Sequence, residues 1–136
     1  MPNFGSVLQH DELCARILEL NSSVRFAAIA DHLGSLLTTA YRQGLTPLAA
    51  KEETAKFASQ AVFMSGAPGV GHNSKIGRMQ YVVGRYENLI RATVPVVNGS
   101  FDKLYMMLSF DIGSDVVSVI EKKVLPYVKE NSASFS

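Results

Sequence analysis

A chain of 136 residues with 47% apolar and 18% charged side chains falls in the ordinary globular class, and one domain of that length buries close to ~70% of its unfolded surface without staples. Its net charge of +1 excludes the strong basicity with which proteins hold a phosphate backbone, so nucleic acid is not an expected partner. A single cysteine, Cys14, excludes an internal disulfide, and within an apolar helical pattern it reads as a small buried hydrophobe suited to a reducing cytosol.

The opening Met1-Pro2-Asn3-Phe4-Gly5 has neither the charged nor the apolar region of a secretory signal, and every apolar run is broken within a few residues. The expected location is therefore cytoplasmic, without a membrane span. Leu13, Ile17 and Leu20 then recur at helical spacing beside Cys14 and Leu18, with Ser6 or Asp11 as the cap for the first-turn amides. Asn21-Ser22-Ser23 ends that helix. Val24 to Ala30 is a β-compatible run closed by the turn Asp31-His32-Leu33-Gly34, where Gly34 takes positive φ without a Cβ clash, and Ser35 to Arg42 returns as a second strand.

After the break at Gln43-Gly44-Leu45-Thr46-Pro47, Lys51 to Met64 is rich in helix formers, and Thr54, Phe57, Ala58, Ala61 and Val62 make one buried stripe. Ser65 to Gly77 holds four glycines and a proline and predicts the longest irregular loop. The period then becomes strand-like over Met79–Tyr86, Leu89–Val97 and Lys103–Asp111, with turns at Glu87-Asn88 and Asn98-Gly99, which predicts an antiparallel meander. The run Leu104 to Phe110 is apolar on both faces and belongs in the sheet centre; Gln80, Gly84 and Arg85 place the first of the three near an edge. Pro95 cannot donate to a ladder, so pairing is expected to fade late in the middle strand. In the last helix Ser114 is the expected cap, Val116, Ile120, Val124 and Val128 repeat every four residues with Val117 alongside, and Pro126 is expected to kink or end it. Residues 1–130 read as one domain. The small polar tail Asn131 to Ser136 reads as disordered.

Helix, two strands, helix, three strands, helix is the element order of an α/β domain with a single five-stranded antiparallel sheet between helices. In this order Asp11 to Lys129 resembles the Roadblock family of dynein light-chain-like proteins, within the wider profilin-like and longin-like group. Val24 to Gly34, Tyr86 to Ala92 and Leu108 to Asp111 are also similar to segments of an uncharacterised group of small archaeal proteins, which brings no activity. The Roadblock resemblance implies a sheet ordered 2-1-5-4-3 and homodimers made by pairing third strands edge to edge with the central helices packed together. It further implies service as a non-enzymatic platform for small GTPases or signalling partners. The expected interface residues are Phe57, Gln80, Val82, Gly84 and Arg85. The long glycine-rich loop and Pro95 depart from the family pattern.

Candidate chemistry is sparse. Gly66 to Asn73 has the spacing of a phosphate-binding loop, yet His72 and Asn73 stand where Lys and Ser/Thr would reach phosphate and Mg²⁺, Lys75 comes two positions late, and a strand follows where a helix is needed. His10, His32 and His72 lie on three separate irregular segments without metal-ligand spacing. Asp31 beside His32 reads as a turn cap rather than as an oriented base. Met64, Met79, Met106 and Met107 read as gap-filling core. No catalytic, cofactor or metal residues are assigned. Lys75, Arg78, Arg85 and Arg91 make the start of the meander mildly basic, and an exposed edge at Gln80, Val83 and Arg85 suits pairing with another chain. The alternative function is a small-molecule sensor in which sheet and helices enclose a ligand under the glycine-rich loop.

Overall fold

The computed structural model describes residues 9–48, 51–65, 75, 77–98 and 101–135. Ser6, most of the expected loop from Ser65 to Gly77 with its phosphate-loop spacing, and Gly99 of the expected turn lie outside the described residues. The elements are α1 (His10–Leu18), β1 (Val24–Asp31), β2 (Leu36–Tyr41), α2 (Lys51–Ser65), β3 (Val82–Arg85), β4 (Ile90–Asn98), β5 (Phe101–Phe110), α3 (Val116–Val119), a wide π turn (Ile120–Val124) and α4 (Leu125–Glu130). A 3₁₀ turn, Ser132–Phe135, follows. All neighbouring strands run antiparallel. The sheet order is β2-β1-β5-β4-β3, which puts the doubly apolar strand in the centre and β3 at an edge.

Strand alternation sorts the core into two layers. On one face Ile29, Val94, Met106, Leu108 and Phe110 pack with α1 and with the valine ladder of the C-terminal helices. On the other, Phe26, Ala28, Ala30, Tyr105 and Met107 receive Ala58 and Val62 of α2, with Phe57 and Ala61 against them. Leu104 through Phe110 is buried throughout. Cys14 is fully buried, and burial, helped by the nearby charge of Asp11, pushes its thiol up to about 12.

Several expectations are corrected. The cap of α1 is Gln9, without a side-chain hydrogen bond, while Asp11 lies inside the first turn, where its charge suits the helix N-terminus. β3 begins at Val82, so Met79, Gln80 and Tyr81 precede it; Tyr81 Oη donates to Glu121 Oε2 of the π turn, which draws this segment toward the C-terminal helices. Pairing of β4 with β5 runs through Pro95 to Asn98. Beyond Thr93 the strand has no β3 neighbour, so among the described residues one of its edges carries no ladder in which a missing N–H would matter.

At the last helix the cap is Asp115, whose Oδ1 accepts from Ser118 N at 3.3 Å, while Ser114 Oγ donates instead to the Asp111 carbonyl. Val117 is 51% exposed and leaves the ladder to Val116, Ile120, Val124 and Val128, all of them buried. In an α-helix each four-residue step drifts about 40° around the axis, so three steps would carry the fourth residue off the buried face. The π turn, closing i to i+5, rotates less per residue and takes part of that drift back. It also loosens the turn at Lys122, whose carbonyl the ring of Pro126 would strike in an α-helix, and Pro126 opens α4 instead of ending the helix. The expected disordered tail is replaced by the Ser132–Phe135 turn, because Phe135 supplies one large apolar ring that fills the core at 1% exposure.

Candidate functional site

β3 is four residues long and, among the described residues, pairs with β4 alone. Val82 and Val83 point to opposite faces, yet they are 41% and 38% exposed, so both faces of the strand are left partly open. Met79 and Tyr86, which flank the strand, are 40% and 50% exposed. An apolar strand with one free backbone edge is a template for another strand.

Of the residues expected at an interface, the structure brings Val82, Gly84 and Arg85 together on β3, with Val82 and Arg85 exposed. Gln80 lies two positions before the strand, exposed, its Nε2 donating to the Arg78 carbonyl at 3.3 Å. Phe57 is carried by α2 and reaches the same region through Arg91, the cross-strand partner of Gly84. The Arg91 guanidinium lies 4.1 Å from the Phe57 ring centroid and 5.3 Å from that of Tyr86. A Cβ on Gly84 would meet the Tyr86 ring at 3.4 Å. The glycine therefore gives Tyr86 room to lie back over the strand and stack on Arg91.

The Tyr86–Arg91–Phe57 stack was not read from the sequence. A hairpin turning at Glu87-Asn88 sets Tyr86 opposite Leu89 and hence diagonal to Arg91 on one face, which was the available signal. A second missed cluster joins the start of β1, the end of β2 and the end of β5. Asp111 accepts from Arg42 Nη1 at 2.7 Å, Arg42 Nη2 at 3.2 Å and Arg25 Nη1 at 2.9 Å, and Arg42 also donates to the Ser22 carbonyl at 2.7 Å. The signal was present here too, since Arg25 lies at the start of β1 and Asp111 follows its antiparallel partner β5.

These bonds, led by Arg42 and opposed by partial burial, hold the Asp111 carboxyl below its ordinary value of 3.8. A depressed carboxyl contributes stability above its unfolded value, lost as pH falls through its folded value. The side chains are 39% (Asp111) and 32% (Arg42) exposed, so solvent screening limits the contribution to about 1 kcal/mol. Urea unfolding is expected to show that much extra loss for the native chain over Asp111→Asn on going from about pH 6 to about pH 3.

Asp31 Oδ1 accepts from the amides of Leu33 and Ser35, both at 2.9 Å, which is the turn-capping role expected of it; His32 is exposed beside it. Met106 and Met107 are core, while Met79 is half exposed. Gly77 to Tyr81 is irregular and leads into β3, so no helix follows the glycine-rich segment. Among the described residues no three His, Cys, Asp or Glu converge, and no helix is long and apolar enough to cross a membrane.

No protein-family model matches the sequence, and no curated protein matches it. Among solved structures the chain is similar to one described as MglB with tetrameric arrangement, at TM-score 0.68 and 13% identity, covering 98% of this chain and 96% of that one. It is similar to the Roadblock/LC7 domain from Streptomyces avermitilis, at TM-score 0.61 and 15% identity over 90% of this chain and 94% of that one. It is also similar to the gliding protein MglB from Thermus thermophilus, at TM-score 0.62 and 16% identity over 98% and 95% of the two chains. The likeness establishes a Roadblock-type fold.

Proposed function

We propose that this chain is a non-enzymatic, cytoplasmic scaffold that forms a homodimer through the β3 margin and α2, with Phe57, Gln80, Val82, Gly84 and Arg85 at the interface. In this reading the dimer holds a small GTPase or another signalling protein. The observation that carries it is the four-residue edge strand whose two valines are exposed on both faces of the sheet. Pairing that edge with its symmetry mate would satisfy its backbone and cover both valines. The Roadblock-type fold supports the reading, and one similar structure is described as a tetrameric arrangement.

Sedimentation velocity of the native chain against Val82→Asp is the test. The native chain is expected to sediment as a dimer at micromolar concentration, and the variant to dimerise at least about 100-fold more weakly, because a buried unpaired carboxylate opposes closure. A native chain that stays monomeric at high concentration, or a variant that dimerises equally well, overturns the reading.

A further inference from the structure

One row of cross-strand partners traverses the whole sheet on the α2 side: Tyr41, Phe26, Ser109, Arg91 and Gly84, contributed by β2, β1, β5, β4 and β3. The large side chains of Phe26 and Arg91 flank Ser109, the small one in the centre. A row of that shape leaves a dent over the central strand. The first turns of α2 place Phe57 beside the dent without filling it, and Leu48, from the segment before α2, forms an outer wall while 58% exposed.

The chemistry of this cleft is one-sided. Two arginines, Arg25 and Arg91, line it, and among the described residues no acidic residue does. Arg25 already spends Nη1 on Asp111. Arg91 pairs with no carboxylate among the described residues; its contacts are the faces of Phe57 and Tyr86. Stacking uses the flat faces of a guanidinium and leaves its in-plane N–H groups to bind an anion in bidentate fashion. Ser109, only 6% exposed, supplies a hydroxyl at the floor, next to Arg91 in register.

We propose that this cleft is a binding site for a small planar organic carboxylate. The carboxylate group enters the cleft, whose volume is about 30 Å³, where it pairs with the Arg91 edge and accepts from Ser109, and the apolar body stays at the mouth against the exposed Leu48. Charge selects the anion, and the apolar side chains of Leu48 and Phe57 at the cleft favour an organic body over a hydrated inorganic ion. This goes beyond the scaffold reading and gives a location to the sensor alternative.

The test is a titration of the full chain, ¹⁵N-labelled, with benzoate as probe and benzamide as its neutral counterpart. Benzoate is expected to give saturable amide shifts centred on Phe26, Arg91 and Ser109 with Kd on the order of 1 mM, the range open to a ligand of that size. Benzamide is expected to bind at least about tenfold more weakly. Arg91→Lys, which keeps the charge and loses the fork, is expected to weaken benzoate by about fivefold or more. Ser109→Ala serves as a second, structurally milder variant and is expected to weaken it as well. No saturable shift, shifts centred elsewhere, equal binding of benzamide, or undiminished binding by both variants overturns the proposal. Running the titration on Val82→Asp as well separates it from the assembly question, because Phe57 belongs both to the cleft and to the proposed interface.

Discussion

Replacing Phe135 with alanine is expected to lower folding stability by about 3–4 kcal/mol, the cost of deleting a fully enclosed aromatic ring. The ring is 1% exposed and belongs to the core that joins α1, the sheet and the C-terminal helices. Its turn packs on β4 and α1, so the cavity would open between elements that are themselves well fixed and relax only partly. Ending the chain after Asn131 is expected to cost about the same within roughly 1 kcal/mol, since Phe135 is the large apolar side chain of the removed segment. Urea unfolding with both variants checks this; a loss under about 0.5 kcal/mol would return these residues to the status of a frayed end.

Gly34→Ala is expected to cost about 3 kcal/mol, seen as a fall of roughly 10 °C in Tm. Two independent penalties meet there. The residue has φ of +83°, a left-handed conformation in which a Cβ crowds its own backbone. The same Cβ would come within 2.6 Å of Ser59 Cα on α2. That atom is main chain in the middle of a helix and cannot rotate away, so either α2 lifts from the sheet or the β1–β2 turn unwinds. Gly44 separates the two penalties, because it has φ of +80° but open space around a Cβ. Gly44→Ala is expected to show the conformational part alone, about 1 kcal/mol.

The central place of β5 was legible because it depends on a whole-segment property, whereas the full strand order came from the family resemblance. A run apolar on both alternating faces has one kind of place in a sheet, and Leu104 to Phe110 occupies it. The stripe on α2 was legible for the same reason, from Thr54 to Val62 at helical spacing. What escaped depends on single residues. Phe135 is one ring in a string of small residues, too little for any periodic signal. The π turn hides in a four-residue repeat that an α-helix alone would let drift. The row containing Ser109 and Arg91 is spread over five separate segments and exists only once the registers of four strand pairs are known.

The margins of this sheet differ in how firmly they are held. Asp111 fastens the start of β1 and the residue after β2 to the end of β5, whereas β3 hangs on β4 by four residue pairs. Transient opening therefore costs least at β3, and its amides exchange with solvent deuterium sooner than those of β1 and β5. Whatever docks at that margin is registered first as slowed exchange in two strands, before any rise in the melting of the whole domain.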